Sequence, residues 1–302
     1  MMLSITNGTP IARFIDDKYK PGEIIYMTKK TQTPQLQTTN ENKLDVFISF
    51  LRSKQLRQYE IDKLVTAYQT GDELRNDKLG KIYDDAIESV KDSDFNYMKF
   101  EDIECMPIVD MRISKRFYIL GGSGSGKTFF VTKFIILNRV SLKQPVFYFS
   151  PFGDEGLPGI KNLINVDIAN WELENEREIT IDDIPKDSIV VFDDCDSYKS
   201  THKKKLIEFR NSLLETGRHY NISTFVINHI GMQGVPTKAC LSECNYFVCF
   251  QNNEHYIQNL LKTYGNMKKS EIDNMISSMG RYVFISRSIP KYYISNNMIK
   301  LF

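Results

Sequence analysis

The segment that most constrains this chain is the glycine-rich run Gly121-Gly122-Ser123-Gly124-Ser125-Gly126-Lys127-Thr128. It matches the pattern G-x-x-x-x-G-K-[ST], and it lies between an apolar stretch, Arg116–Leu120, and an amphipathic stretch that begins at Lys127. The glycines let the backbone curl so that successive N–H groups point at phosphate oxygens, and the following helix adds partial positive charge at its N-terminus. The run therefore predicts a phosphate-binding loop (P-loop) between a strand and a helix.

Two side chains of this loop carry the chemistry expected of it. Lys127 places a cation where the β- and γ-phosphates of a nucleotide would bind, and Thr128 offers a hydroxyl ligand to Mg²⁺. We therefore expect ATP to bind along the loop and Mg²⁺ to bind at its end. The residues predicted to bind the nucleotide are Gly121, Gly122, Ser123, Gly124, Ser125, Gly126, Lys127 and Thr128.

A second motif, downstream of the loop, is acidic. Ile189–Asp193 reads IVVFD and is followed directly by Asp194. An apolar strand that ends in two acids after a P-loop is typical of a Walker B element. We predict that Asp193, together with Thr128, holds Mg²⁺, and that Asp194 orients and deprotonates the attacking water. Alone, this motif would equally describe an ordinary strand followed by an acidic turn.

From Met111 onward, short and nearly all-apolar strands alternate with helical patterns, which indicates a parallel sheet covered on both faces. We predict an α/β fold of the P-loop NTPase (RecA/ASCE-like) type, a parallel sheet flanked by helices. The strand Val146–Ser150 lies between the two motifs in sequence, which favours the class in which an extra strand separates the Walker A and Walker B strands. The other predicted strands are Arg116–Leu120, Ile189–Asp193, Ser223–Asn228, Tyr246–Phe250 and Tyr282–Ile285; the predicted helices are Lys127–Val140, His202–Thr216, Ile257–Leu261 and Ile272–Met279.

The first part of the chain has a different pattern. We predict a flexible N-terminal arm over residues 1–42, because Thr28–Asn42 has almost no large apolar side chains to bury. Residues 43–110 are predicted to be a helical accessory module with a connector, since apolar residues recur at helical spacing from Leu44 to Val90. This module either packs on the main domain or binds a partner. Residues 111–302 then form the ATPase domain.

Two further catalytic candidates flank the strand Ser223–Asn228. Arg218 precedes it, and an arginine there can reach the γ-phosphate of a neighbouring subunit; the alternative is a surface arginine near a helix C-terminus. Asn228 ends the strand, where its amide can sense the γ-phosphate or simply cap the strand. His219 and His229 are interpreted as structural, hydrogen-bonded groups. The predicted catalytic residues are therefore Lys127, Asp194, Arg218 and Asn228.

Together, GGSGSGKT, VVFDD and LLETGRHYNISTFVIN resemble the poxvirus-type DNA-packaging ATPases of large DNA viruses, within the FtsK/HerA superclass. The resemblance covers roughly Met111 to Phe250. It implies Mg²⁺-ATP hydrolysis that pumps a viral genome into a capsid, by a homo-oligomeric ring in which Arg218 acts on the neighbouring subunit. It also implies backbone contact with double-stranded DNA and a capsid or portal protein as partner. That family usually has glutamine where this chain has the shorter Asn228.

The net charge of +1 gives no whole-molecule field that would attract nucleic acid. DNA contact therefore needs local basic surfaces, although adjacent lysines at a helix start are also common on solvated surfaces. The candidates for DNA contact are His202, Lys203, Lys204 and Lys205, with Arg210, Lys238, Arg281, Arg287 and Lys291.

Five cysteines fit a reducing compartment better than a disulfide scaffold. No apolar stretch approaches the ~20 residues that cross a bilayer. We expect the protein in the host cytoplasm at the site of virus assembly, or in the virion. Two alternatives remain: a phage-type assembly or export ATPase, which usually needs a membrane span, and a nucleotide-gated structural assembly factor with little turnover.

Overall fold

The structure, a computed structural model, divides the chain into two compact units. One comprises Met1–Pro10, Ile24–Lys99 and Ile299–Phe302, and the other comprises Ile11–Glu23 and Phe100–Met298. The described residues are 2–4, 8–15, 24–28, 44, 47–48, 50–52, 54, 56–70, 78–93, 97–99, 105–152, 156–198, 200–229, 235–251, 254–289, 291–295 and 298–301.

In chain order, the strands are β1 (Met2–Ser4), β2 (Thr9–Phe14), β3 (Ile24–Thr28), β4 (Tyr97–Lys99), β5 (Cys105–Pro107), β6 (Arg116–Leu120), β7 (Val146–Phe149), β8 (Leu163–Val166), β9 (Ile189–Asp193), β10 (Ser223–Asn228), β11 (Tyr246–Phe250), β12 (Tyr282–Ser286), β13 (Tyr292–Ser295) and β14 (Met298–Leu301). The helices are α1 (Gln58–Thr70), α2 (Lys78–Ser93), α3 (Lys127–Asn138), α4 (Ile168–Asn175), α5 (Ser200–Thr216), α6 (Val235–Glu243), α7 (Glu254–Thr263) and α8 (Lys269–Ser278).

The second unit is built on a large sheet in which the strands run in the order β13-β12-β11-β6-β10-β9-β7-β8. All neighbours from β11 to β8 pair in parallel, and β12 pairs antiparallel with both β11 and β13. Every residue of β7, β9 and β10 is buried, as expected for strands covered on both faces. The predicted α/β fold, with a mostly parallel sheet and flanking helices, is confirmed.

One detail of the predicted topology needs correction. The strand that separates the P-loop strand β6 from the Walker B strand β9 is β10, whereas β7 lies on the far side of β9. The prediction identified β7 because that strand comes between the two motifs in sequence. Position along the chain does not fix position in a parallel sheet, since each crossover can place the next strand on either side.

Aromatic packing attaches α3 to the sheet. The Phe134 ring of α3 lies 5.1 Å from the Phe117 ring of β6 and 5.9 Å from the Phe225 ring of β10, and Phe117 and Phe225 stack at 4.3 Å. All these distances join ring centroids. Because α3 begins at the end of the glycine-rich loop, this packing also fixes the position of that loop.

In the first unit, α1 and α2 share an apolar cluster centred on Phe47, whose ring stacks on Tyr68 at 4.3 Å and meets Tyr83 edge-on. The strands β1 and β3 pair antiparallel. Both lie within the stretch predicted to be a flexible arm. Strands of three and five residues are too short to show an alternating pattern in the sequence. Residues 29–43 lie outside the described ranges, so the arm stays a prediction there.

The boundaries of the units also differ from the predicted ones. Residues Ala12–Phe14 of β2 pair with β5, and both segments belong to the second unit. The strand β2 lies about a hundred residues before β5 in the sequence. A prediction that divides the chain into consecutive segments cannot detect such a pairing.

We expect Phe134→Ala to lower the free energy of unfolding by about 3–5 kcal/mol, because it leaves a cavity among the rings of β6 and β10. The matched control is Phe129→Ala on the same helix, whose side chain is 64% exposed; we expect it to change stability by roughly 0.5 kcal/mol or less. Urea unfolding of the full chain measures both. Equal losses in the two variants would contradict this account of how the helix is attached.

Candidate active site

The loop between β6 and α3 has the curled backbone that its sequence predicts. The amide of Gly121 donates to the carbonyl of Asn228 (3.2 Å), and the amide of Ser125 donates to the carbonyl of Gly122 (3.3 Å). Gly126 precedes α3 with φ +97°, and a Cβ atom there would lie 2.5 Å from Nη2 of Arg281. Position 126 therefore requires glycine, and with no side chain to cap the helix, its N-terminus suits an anion.

Lys127 lies across this loop. Its Nζ donates to the carbonyl of Gly122 (2.9 Å) and lies 3.3 Å from Nδ1 of His229. The side chain is buried. Burial lowers the pKa of Lys127, whereas the charges of Asp194 and Asp193 act in the opposite direction. The charge of Lys127 thus interacts with the charges of both acids of the second motif.

Asp193 lies at the end of β9 and receives two hydrogen bonds on one oxygen. The hydroxyls of Thr128 (3.0 Å) and Tyr148 (2.9 Å) both donate to its Oδ2. Burial, followed by the charge of Asp194, raises the pKa of Asp193, and the two hydroxyls and Lys127 oppose that rise. A hydroxyl and a carboxylate at bonding distance are hard oxygen donors, and Mg²⁺ is commonly bound by such a pair together with substrate phosphates. The residues present therefore fit the predicted metal.

Asp194 turns back toward the loop. Its backbone has left-handed dihedral angles (φ 51°), and its Oδ1 lies 2.5 Å from Nε2 of His229. The structure therefore gathers Lys127, Thr128, Asp193 and Asp194, all predicted from sequence, around one point above the end of β10.

Asn228 does not point to that location. Its side chain is buried, and its Nδ2 donates to the hydroxyl of Tyr118 on β6 (3.1 Å). Successive side chains of an extended chain alternate between faces. The next residue, His229, is the one that reaches Lys127 and Asp194. The catalytic role of Asn228 stays a prediction, and its amide is used here within the core.

Arg218 lies far from the loop of its own chain. It is exposed in a short 3₁₀ helix, Gly217–Tyr220, which precedes β10. The strands β10 and β6 are parallel and in register. The N-terminal end of β10 and the loop after β6 therefore lie at opposite ends of these strands. A strand of six residues spans about 20 Å. Arg218 can therefore meet a P-loop only in another subunit, and that role stays a prediction.

Sequence reasoning missed three contacts of this site. Arg281 donates from Nε to the carbonyl of Ser125 (3.1 Å) and lies over Gly126, whereas the sequence predicts only a possible DNA contact. Tyr148 donates to Asp193 as described above, and His229, which the sequence predicts to be structural, contacts Lys127 and Asp194. Nothing in the spacing of these residues marks them, because each comes from an element remote in sequence from the loop.

Several basic residues predicted for DNA have partners within the protein. Lys205 is paired with Glu172 (3.1 Å) and Glu178 (3.2 Å). Arg287 donates to the backbone carbonyls of residues 241, 242 and 244, and Lys291 donates to another backbone carbonyl. These side chains already have partners within the protein, and their contact with DNA stays a prediction. In the described ranges, no helix is both long and apolar enough to cross a bilayer.

Comparison with known proteins identifies one viral relative. The protein named Uncharacterized protein V3, from Sputnik virophage, is 30% identical over 190 residues, which cover 61% of this chain and 75% of that protein. No protein-family model matches the chain.

Solved structures are similar at lower identity. The genome packaging NTPase B204 of Sulfolobus turreted icosahedral virus 2, in complex with sulfate, is 13% identical and has a TM-score of 0.40; the match covers 62% of this chain and 95% of that chain. The pCW3 conjugation coupling protein TcpA is 12% identical with a TM-score of 0.44, covering 68% and 66%. The cytoplasmic domain of the Type VII secretion ATPase EccC of Thermomonospora curvata is 11% identical with a TM-score of 0.45, covering 67% and 28%.

We expect Gly126→Ala to weaken nucleotide binding by at least roughly 10-fold, because the added methyl strains a left-handed backbone and displaces Arg281 from the loop. The control is Gly217→Ala, where the nearest atom to an added Cβ lies 3.6 Å away. Binding of a fluorescent ATP analogue to each purified variant measures the effect. Unchanged binding by Gly126→Ala would show that this loop does not hold the nucleotide.

Proposed function

The chain belongs to the same family as Uncharacterized protein V3 of Sputnik virophage. From the geometry of its site we propose that it is a Mg²⁺-dependent ATPase, and from its sequence resemblance we propose that it moves double-stranded DNA. One observation carries the proposal. The hydroxyl of Thr128, at the end of the glycine-rich loop, donates to Asp193 (3.0 Å), and the ring of His229 contacts both Lys127 and Asp194. The residues proposed to bind phosphate and to activate water are thus linked by direct contacts.

The chemistry that these residues would perform is phosphoryl transfer to water. The backbone amides of the loop and the ammonium of Lys127 would bind the β- and γ-phosphates. Thr128 and Asp193 would hold Mg²⁺, which when bound neutralises charge on the phosphate oxygens. Asp194 would orient a water molecule and accept its proton while the oxygen attacks the γ-phosphorus. The bond from that phosphorus to the β–γ bridging oxygen breaks, and ADP leaves.

The proposed coupling to DNA rests on the sequence resemblance to viral packaging ATPases. The segments of this chain that carry the resemblance lie in β9, in α5 and β10, and at the start of α3. The position of Arg218, far from the loop of its own chain, supports the proposed homo-oligomeric ring, in which Arg218 would complete the site of a neighbouring subunit. The proposed track is the phosphate backbone, contacted without reading bases. The proposed partner is a capsid or portal protein, and the proposed location is the host cytoplasm at the assembly site, or the virion.

The test is the steady-state ATPase rate with and without double-stranded DNA over a salt series. We expect DNA to stimulate turnover and the apparent DNA affinity to fall as salt rises, with a slope of about 0.9 log units for each phosphate contact. Asp194→Ala is the control; it should retain ATP binding while turnover falls roughly 100-fold or more. Negligible turnover of the parent protein, even with DNA present, would instead favour a nucleotide-gated assembly factor.

Mixing two inactive variants tests the role of Arg218 in a neighbouring site. Arg218→Ala lacks the arginine, and Asp194→Ala lacks the carboxylate, so each alone should lose most turnover. In a mixed ring, an intact Arg218 would face an intact Asp194 at some interfaces, and we expect part of the ATPase rate to return. His219→Ala serves as the neighbouring control. Co-assembled mixtures that stay inactive, or a fully active Arg218→Ala, would exclude this role.

A further inference from the structure

The imidazole of His229 joins the two charged groups on which hydrolysis would depend. Its Nδ1 lies 3.3 Å from Nζ of Lys127, and its Nε2 lies 2.5 Å from Oδ1 of Asp194. The ring therefore stands between the cation of the loop and the carboxylate that follows β9. Two contacts, to groups that come from two different elements, fix its position.

The partners also define the tautomer of this ring. Nε2 faces a carboxylate, which accepts hydrogen bonds, so Nε2 carries the proton. Nδ1 faces an ammonium, which only donates, so Nδ1 is the acceptor. In this arrangement one side of the ring contacts the Asp194 carboxylate, at 2.5 Å between Nε2 and Oδ1, and the other side contacts the Lys127 ammonium.

The position of His229 also accounts for the orientation of Asn228. The sequence suggested Asn228 as the residue that senses the γ-phosphate, yet its amide is buried and bonds Tyr118 (3.1 Å). His229 directly follows it on the extended chain, where side chains alternate in direction. The group that faces the loop at the end of β10 is thus the imidazole and not the amide.

We propose that His229 is a positioning residue that holds the Asp194 carboxylate in line for the attacking water; this inference rests on the proposed ATPase function. The imidazole contacts Oδ1 of Asp194 through Nε2 and Nζ of Lys127 through Nδ1. An ammonium has three donor hydrogens, so Lys127 can keep its contact with the ring while it binds a phosphate oxygen. The ring thereby keeps the carboxylate beside the loop while a nucleotide is bound.

The test compares His229→Ala and His229→Gln with the parent protein in two measurements, affinity for ATPγS and ADP, and kcat with KM for ATP. For His229→Ala we expect kcat to fall roughly 100-fold because Asp194 loses its alignment. Affinity for ATPγS should stay close to that of the parent, because the loop amides and Lys127 still bind the phosphates. A merely structural defect would instead weaken affinity and turnover together.

The glutamine variant provides the rescue. Its amide offers one donor for Asp194 and one acceptor for Lys127, so it reproduces both contacts, and we expect kcat within roughly 10-fold of the parent. His219 precedes β10, at the end of the strands opposite to the loop. His219→Ala is therefore the histidine control and should retain parent kinetics. Should His229→Ala fail to fold, as monitored by thermal unfolding, His229→Gln carries the test, and a kcat more than roughly 10-fold below that of the parent would then overturn the inference.

Three results would overturn the inference. They are parent-like kcat in His229→Ala, loss of turnover in His229→Gln equal to that in His229→Ala, and loss of turnover with retained affinity in Asn228→Ala but not in His229→Ala. A parent protein that binds neither ATPγS nor ADP would instead refute the proposed function, before any variant is compared.

Discussion

The hydrogen bond between Thr128 and Asp193 joins the two halves of the site, and the strand order determines what lies between them. Because β10 separates β6 from β9, the strand that leads into the loop before Thr128 and the strand that ends at Asp193 are about 10 Å apart, twice the spacing of neighbouring strands. The glycine-rich loop and the end of β9 must meet across the end of β10. The groups that follow β10 therefore face both Lys127 and Asp194, and His229 occupies that position.

Burial makes the charges of this site depend on one another. Burial lowers the pKa of Lys127 and raises that of Asp193, and the charge of each opposes the shift of the other. Removing one partner from such a pair leaves the other buried without compensation, which costs far more than a surface ion pair is worth. Tyr148 and Thr128 add hydrogen bonds that favour the ionised carboxylate of Asp193. The two hydroxyl donors and the ammonium of Lys127 thus offset part of the cost of burying the ionised carboxylate of Asp193.

Much of the central fold could be predicted from the sequence. The bounds of β6, β9, β10 and β11 coincide with the predicted strands, because each is a short apolar run bounded by polar or glycine residues. The edge strand β8 was not predicted, since two of its four residues are exposed and the apolar signal is weak. The strands β1, β2 and β3 were missed for a related reason: they are short, and partners remote in sequence, such as β5 for β2, stabilise them.

The sequence by itself determined the chemistry of the loop and of the two acids, because a backbone that wraps a phosphate needs glycines, a lysine and a hydroxyl at fixed spacing. Only the tertiary structure decided that β10 lies between the two motifs, that Asn228 bonds Tyr118, and that His229 and Arg281 reach the loop. The spacing of residues along the chain predicts groups that act together within one short segment. Crossover direction and strand order, which the packing of the whole sheet fixes, bring distant residues together.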